Sequence, residues 1–193
     1  MKVIFLDNDG VICLSYNWGG RDKKWAKYRS ANPESSKLLI DAPVSIRFDN
    51  FDEKAVRVLN EILEETGAEI VVSSDWKKHG TLEELGDYYI EQGIIKRPIA
   101  CTKNVSECLL AKDFKFYFDG KYEQERCFEI KQYLSDNTEI TQWVVIDDLH
   151  LGKDSFIPNS NECGVDNFVR CNRMNEGIKQ MGIKEKIISF LNK

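Results

Sequence analysis

Apolar and polar positions alternate in blocks along this chain. Val3-Ile4-Phe5-Leu6 is an unbroken apolar run that stops at Asp7-Asn8-Asp9-Gly10, which predicts a short strand buried on both faces. Ala55, Val58, Leu59, Ile62 and Leu63 recur at helical spacing; Asp49 or Asp52 is placed to cap that helix, and Thr66-Gly67 ends it. Ala68 to Val72 predicts a second strand, stopping at Ser73-Ser74-Asp75-Trp76-Lys77. Thr81 and Glu84 have capping-box spacing, so a helix is expected from Thr81 to about Gln92, closed by Gly93. Ile94-Ile95 and Pro98-Ile99-Ala100 suggest a short extended piece, Phe114 to Phe118 alternates, and Asp119-Gly120 is a turn. A helix follows from about Tyr122 to Leu134, then the apolar strand Trp143-Val144-Val145-Ile146 ending in Asp147-Asp148. Phe168-Val169 is a last short strand and Ile183 to Leu191 a closing helix.

Strands alternating with helices predict an α/β fold: a Rossmann-like three-layer α/β/α sandwich with a mostly parallel central sheet. Residues from about 12 to 50 break the pattern. They lack clean periodicity and mix Tyr16, Trp18, Trp25 and Tyr28 with Arg21, Lys23, Lys24 and Arg29, interrupted by Gly19-Gly20 and Pro33. This stretch reads as an inserted loop or small lid and not as a core element, within a single domain over 1–193.

Three strands end in polar residues of a catalytic kind: Asp7 and Asp9, Ser73 and Ser74, and Asp147 and Asp148. A parallel sheet brings such ends to one rim, where α/β folds bind ligands. Side chains two apart on an extended segment point the same way, so Asp7 and Asp9 converge. Like charges that close perturb each other unless a cation or shared proton intervenes. This pattern fits a carboxylate nucleophile, a second carboxylate for proton transfer and a divalent metal. Gly10 lets the backbone turn tightly beside them. The plainer readings are turn and capping roles: an Asp-Gly turn, a serine N-cap for the next helix, a solvated Asp pair. If the strand runs through both serines, Ser73 and Ser74 face opposite sides.

Composition narrows the setting. A net charge of −5 argues against a broad nucleic-acid-binding surface, although Lys23, Lys24, Lys27 and Arg29, and separately Lys77 and Lys78, leave room for a local basic groove. The six cysteines form no C-x-x-C pair and match no zinc template, so free thiols in a reducing, cytoplasmic setting are expected. With only His79 and His150, a histidine-based metal centre or triad is poorly supplied. No apolar run approaches the roughly 20 residues of a membrane span, and the chain enters a strand at once, so neither a membrane nor a cleaved leader is expected. Trp18, Trp25 and Trp76 are candidates either for stacking on a base or for packing.

Taken in chain order, Asp7-Asn8-Asp9-Gly10-Val11, a serine after the second strand and Asp147-Asp148 resemble the haloacid-dehalogenase-like (HAD) phosphohydrolase superfamily. Phe51-Asp52, Val71-Val72-Ser73-Ser74-Asp75-Trp76-Lys77, Arg126 four residues before Ile130, and Gly177-Ile178 make the chain similar to the small HAD domains associated with RNA-repair proteins. The resemblance implies that Asp7 is a nucleophile forming an aspartyl-phosphate and that Asp9 is the general acid/base, with its backbone carbonyl on the metal. It implies that Ser73 or Ser74 bonds the phosphoryl group, and that Asp147 and Asp148 complete a Mg²⁺ site with Asp7 and Asp9. Arg126, or in second place Lys131, supplies the neutralising cation. The expected substrate is a phosphorylated small molecule or a nucleic-acid end, reached past a short lid, with no stable protein partner. A metal-dependent nuclease and a non-catalytic phospho-acceptor or binding module are the competing readings.

Overall fold

The first strand, β1 (Lys2–Leu6), divides the core between its two faces. Ile4 and Leu6 join one buried cluster, and Val3 and Phe5 join the other, as the two-residue period of an extended chain requires. The computed structural model describes residues 1–33, 38–107, 122–153 and 164–193. Within them, α1 (Gly20–Ala31), α2 (Val44–Arg47) and α3 (Glu53–Thr66) precede β2 (Glu69–Val72). Then come α4 (Leu82–Glu91), β3 (Ala100–Cys101), α5 (Tyr122–Asp136), β4 (Gln142–Asp147), β5 (Phe168–Arg170) and α6 (Ile183–Leu191). The sheet order is β3-β2-β1-β4-β5 and every pairing is parallel. The alternating strand and helix pattern therefore gave the right architecture: a Rossmann-like α/β sheet covered on both faces.

One face packs Ile4, Leu6, Ile70, Val72, Val144 and Ile146 against α3, α4 and α6. The other sets Val3, Phe5, Val71 and Val145 against Cys127 and Ile130 of α5. In α3 the buried stripe is Ala55, Val56, Leu59, Ile62 and Leu63; Val58, assigned to that stripe from spacing, is only partly buried. Each large aliphatic side chain fully removed from water there contributes about 1.5–3 kcal/mol. Of the two capping candidates, Asp52 caps α3, its Oδ1 accepting from the Ala55 amide at 2.8 Å. Asp49 does a different job. It accepts from the Gly19 and Arg21 amides at 3.2 and 2.6 Å and so pins the start of α1. The expected capping box of Thr81 and Glu84 is formed.

The stretch from 12 to 50 differs from the expectation in two ways. Its ends are core: Ile12, Cys13, Leu14 and Phe48 are buried. Its middle holds a three-turn helix, α1, that buries none of its residues, which is why no apolar period announced it. The extended piece expected around 94–100 is confined to Ala100–Cys101 as a strand. Phe114 to Phe118, Asp119-Gly120, Cys108 and Cys163 lie outside the described residues.

Candidate active site

The strand ends are held in register beyond the strands themselves. Asp7 N donates to Ile146 O at 3.0 Å, Ser73 N to Leu6 O at 3.0 Å, and Cys171 N to Asp147 O at 2.9 Å. Asp7 continues the register of Val3 and Phe5, and Asp147 that of Val145, so both carboxylates emerge on the α5 side of the sheet. There α5 presents Arg126. Its Nη1 donates to Asp7 Oδ1 at 3.1 Å and to Asp147 Oδ2 at 2.8 Å, and its Nη2 lies 3.8 Å from Asp75 Oδ1. Lys131, the second candidate, is exposed on the same helix. Asp148 closes the group: one carboxylate oxygen from each of Asp7, Asp147 and Asp148 lies within 4.8 Å of the other two.

The chain leaves β1 through a tight loop in which Asn8 O accepts from the amides of Val11, Ile12 and Cys13. Gly10 adopts φ +70°, and a Cβ there would meet Asp148 Oδ2 at 2.5 Å. Only glycine allows both the turn and the close approach of Asp148. Asp9 is carried out of the triad by this loop. Its Oδ2 accepts from the Trp76 indole Nε1–H at 2.8 Å, and the Cys13 thiol also bonds its carboxylate. The Ser74 hydroxyl bonds Asp7, and Ser74 Oγ accepts from the Trp76 amide at 3.5 Å. Ser73 Oγ is fully buried with no partner among the described residues, as is Asn8 Nδ2, whose Oδ1 accepts from Tyr89 OH at 2.6 Å.

Burial dominates the electrostatics. It raises the Asp7 carboxyl, against the Arg126 guanidinium and Ser74. It raises Asp147 well above the usual range, reinforced by the Asp7 charge and opposed by Arg126. Asp148 is pushed up to about 6 by burial and then by Asp7. Asp9 also rises to about 6, from burial and then the Asp7 charge, while the Trp76 and Cys13 hydrogen bonds pull it back. For Arg126, burial works against the charge, but Asp7 and Asp147 more than offset it and hold the guanidinium protonated.

A cavity of about 350 Å³ opens beside Asp9, lined by Trp18, Gly19, Arg21, Asp22, Asp49 and Trp76. Trp18 is 42% exposed there, with its indole N–H fixed on Cys13 O at 3.2 Å. Trp25 instead stacks on Tyr28 at 5.9 Å. Two of the suggested basic residues are not free to form a groove. Lys77 is buried in an ion pair with Glu129 and donates to Thr102 Oγ1 at 2.8 Å. Lys24 donates to Ser45 O, Phe48 O and Asn50 Oδ1. The sequence did not indicate the Trp76 contact with Asp9; the one available signal was an aromatic residue two positions after Ser74.

With all three carboxyls ionised, Asp7, Asp147, Asp148 and the Arg126 guanidinium carry a net charge of −2 at the rim of the sheet. Hard oxygen donors with that charge suit a small divalent cation such as Mg²⁺, which needs few protein ligands and retains water. A parallel α/β sheet with this rim defines a HAD-like domain. The chain belongs to the family described as the HAD domain in Swiss Army Knife RNA repair proteins, whose model matches residues 3–180. No curated protein and no solved structure matches it. Among the described residues no helix is long and apolar enough to cross a membrane.

Proposed function

We propose that this protein is a Mg²⁺-dependent phosphatase that hydrolyses phosphate monoesters of nucleotides or nucleic-acid ends through an aspartyl-phosphate on Asp7. The observation that carries this reading is the division of labour among the carboxylates. Asp7, Asp147 and Asp148 are grouped around one point, Arg126 bridges two of them, and Asp9 stands apart with its own partners. A nuclease that activates water on an acidic cluster has no need of that separated carboxyl.

In this reading Asp7 attacks phosphorus while the bond to the leaving oxygen breaks, and that oxygen takes the proton of Asp9. Asp9, now a carboxylate, then takes a proton from the water that releases phosphate from Asp7. A pKa of about 6 suits a group that must hold a proton and then accept one near neutral pH. Asp7, Asp147, Asp148 and the Asp9 backbone carbonyl would hold Mg²⁺, which when bound supplies charge stabilisation for the transferring phosphoryl. Arg126 contributes fixed positive charge beside Asp7 and Asp147, and Ser74, through its bond to Asp7, is the serine assigned to the phosphoryl group. Trp18, partly exposed in the wall of the cavity beside Asp9, favours a leaving group that carries a base. The described cysteines Cys13, Cys101, Cys127 and Cys171 are thiols, in keeping with a cytoplasmic setting.

The test is phosphate release, with Mg²⁺, from p-nitrophenyl phosphate and from 3′- and 5′-phosphorylated oligonucleotides. Asp7→Asn should lose at least about a thousandfold in turnover, as removal of a covalent nucleophile does. Undiminished turnover in that variant, or strand scission without phosphate release, would overturn the reading.

A further inference from the structure

Resting on the phosphatase reading, the surroundings of Asp9 carry one more inference. A general acid that becomes a general base needs the same oxygen aimed at the substrate in both steps. The indole Nε1–H of Trp76 donates to Asp9 Oδ2 at 2.8 Å. An indole N–H can only donate, so Oδ2 is held as an acceptor and the transferable proton falls to Oδ1; the Cys13 thiol is the other group bonded to this carboxylate. The indole is itself immobilised. It is 5% exposed and stacks on Phe48 at 4.5 Å and 10°, and on Phe51 at 5.4 Å and 20°. Phe48 belongs to the segment that carries α1, and its carbonyl accepts from Lys24 of α1 at 3.0 Å. Lys24 of α1 and the acid beside the cavity therefore both bond to members of one aromatic stack.

We propose that Trp76 is the positioning residue of the general acid/base: clamped between Phe48 and Phe51, it fixes one oxygen of Asp9 and leaves the other directed at the leaving group. In the first step the Asp7 oxygen–phosphorus bond forms and the ester P–O bond breaks. The departing oxygen keeps the electron pair and takes the Oδ1 proton. In the second, the water oxygen–phosphorus bond forms, the electron pair of the cleaved P–O bond returns to Asp7, and a water proton goes to Oδ1. Oδ2 keeps its indole donor throughout.

The experiment compares wild type with Trp76→Phe, which preserves a ring in the stack and removes the N–H. Two esters are used with Mg²⁺. p-Nitrophenyl phosphate has a leaving group that needs little protonation, and 2-phenylethyl phosphate has one that needs it fully. General acid catalysis contributes about 10²–10⁴-fold, so kcat/KM on the alkyl ester should fall about tenfold or more, and on the nitrophenyl ester less than about threefold. The ratio of the two losses does not depend on how much variant folds, and a purely structural role would leave that ratio unchanged. In metal-free protein, Asp9→Leu should shift the Trp76 indole ¹H–¹⁵N resonance upfield. Equal losses on both esters in an active protein, or an unmoved indole resonance, would overturn the assignment alone. A wild type inert towards both esters would overturn the phosphatase reading and this assignment with it.

Discussion

Removing the charge of Arg126 while keeping most of its volume, as Arg126→Met, isolates what the guanidinium does for the metal-free protein. In the native chain one nitrogen bonds both Asp7 and Asp147, at 3.1 and 2.8 Å, and all three groups are buried. In the variant two buried carboxylates face each other. One of them can escape by taking up a proton, which at about pH 7 costs about 4 kcal/mol for a group with an ordinary carboxylate pKa of about 3.9. That is a ceiling, and relief of the burial of Arg126 itself lowers it to about 2–4 kcal/mol. For a chain of this size the melting temperature should fall by about 10 °C, measured by thermal denaturation in EDTA at about pH 7.5. The sign with pH follows from the raised pKa values of Asp7 and Asp147. The folded state binds more protons than the unfolded one, so stability is lost as pH rises from the unfolded pKa towards the folded values. The deficit should therefore shrink at about pH 5.5, and Mg²⁺ should stabilise the variant more than the wild type. A variant as stable as wild type in EDTA would refute the reasoning, as would a deficit that neither pH nor Mg²⁺ changes.

Further outcomes follow from other contacts. Gly10→Ala should cost about 2 kcal/mol, from the positive φ and the 2.5 Å approach to Asp148, and should raise the Mg²⁺ concentration needed for half-maximal thermal stabilisation. Glu84, pulled down to about 2 by Arg47 and the Thr81 amide, contributes stability above its unfolded pKa that is lost as pH falls through about 2. Glu84→Gln should therefore destabilise by about 1–2 kcal/mol at neutral pH, Glu84 being one-third exposed, with the two melting curves converging in acid. Trp18→Ala should raise KM about fivefold for a phosphorylated nucleotide and leave it within about twofold for p-nitrophenyl phosphate, since one base stack is worth about 1–3 kcal/mol.

The sheet and its rim were legible because their signals are local. Val3 to Leu6 and Trp143 to Ile146 are apolar runs too short for helices, and each breaks off at aspartates. Parallel pairing then carries Asp7 and Asp147 to adjacent positions without further information. Arg126 was less determined, because on an uncovered helix the same residue would be solvated; only the packing of Cys127 and Ile130 on the sheet turns it towards the carboxylates. Helix α1 was invisible because none of its residues is buried, and Asp49 and Asp52 stood as alternative caps of α3 because two aspartates three apart are equivalent until the chain is folded. Lys77 looked like part of a basic patch, since nothing local links it to Glu129, fifty-two residues away. The role of Trp76 depends on a contact across sixty-seven residues, beyond the reach of any pattern in the chain.

Helix α1 contributes nothing to either core cluster; polar bonds through Asp49 and Lys24 tie it to the domain, with Trp25 and Tyr28 only partly buried. Its exposed side chains are therefore under little obligation to the thermodynamics of folding. Selection can rewrite this one helix, and with it the wall that meets the substrate, while the chemistry at the sheet edge is inherited intact.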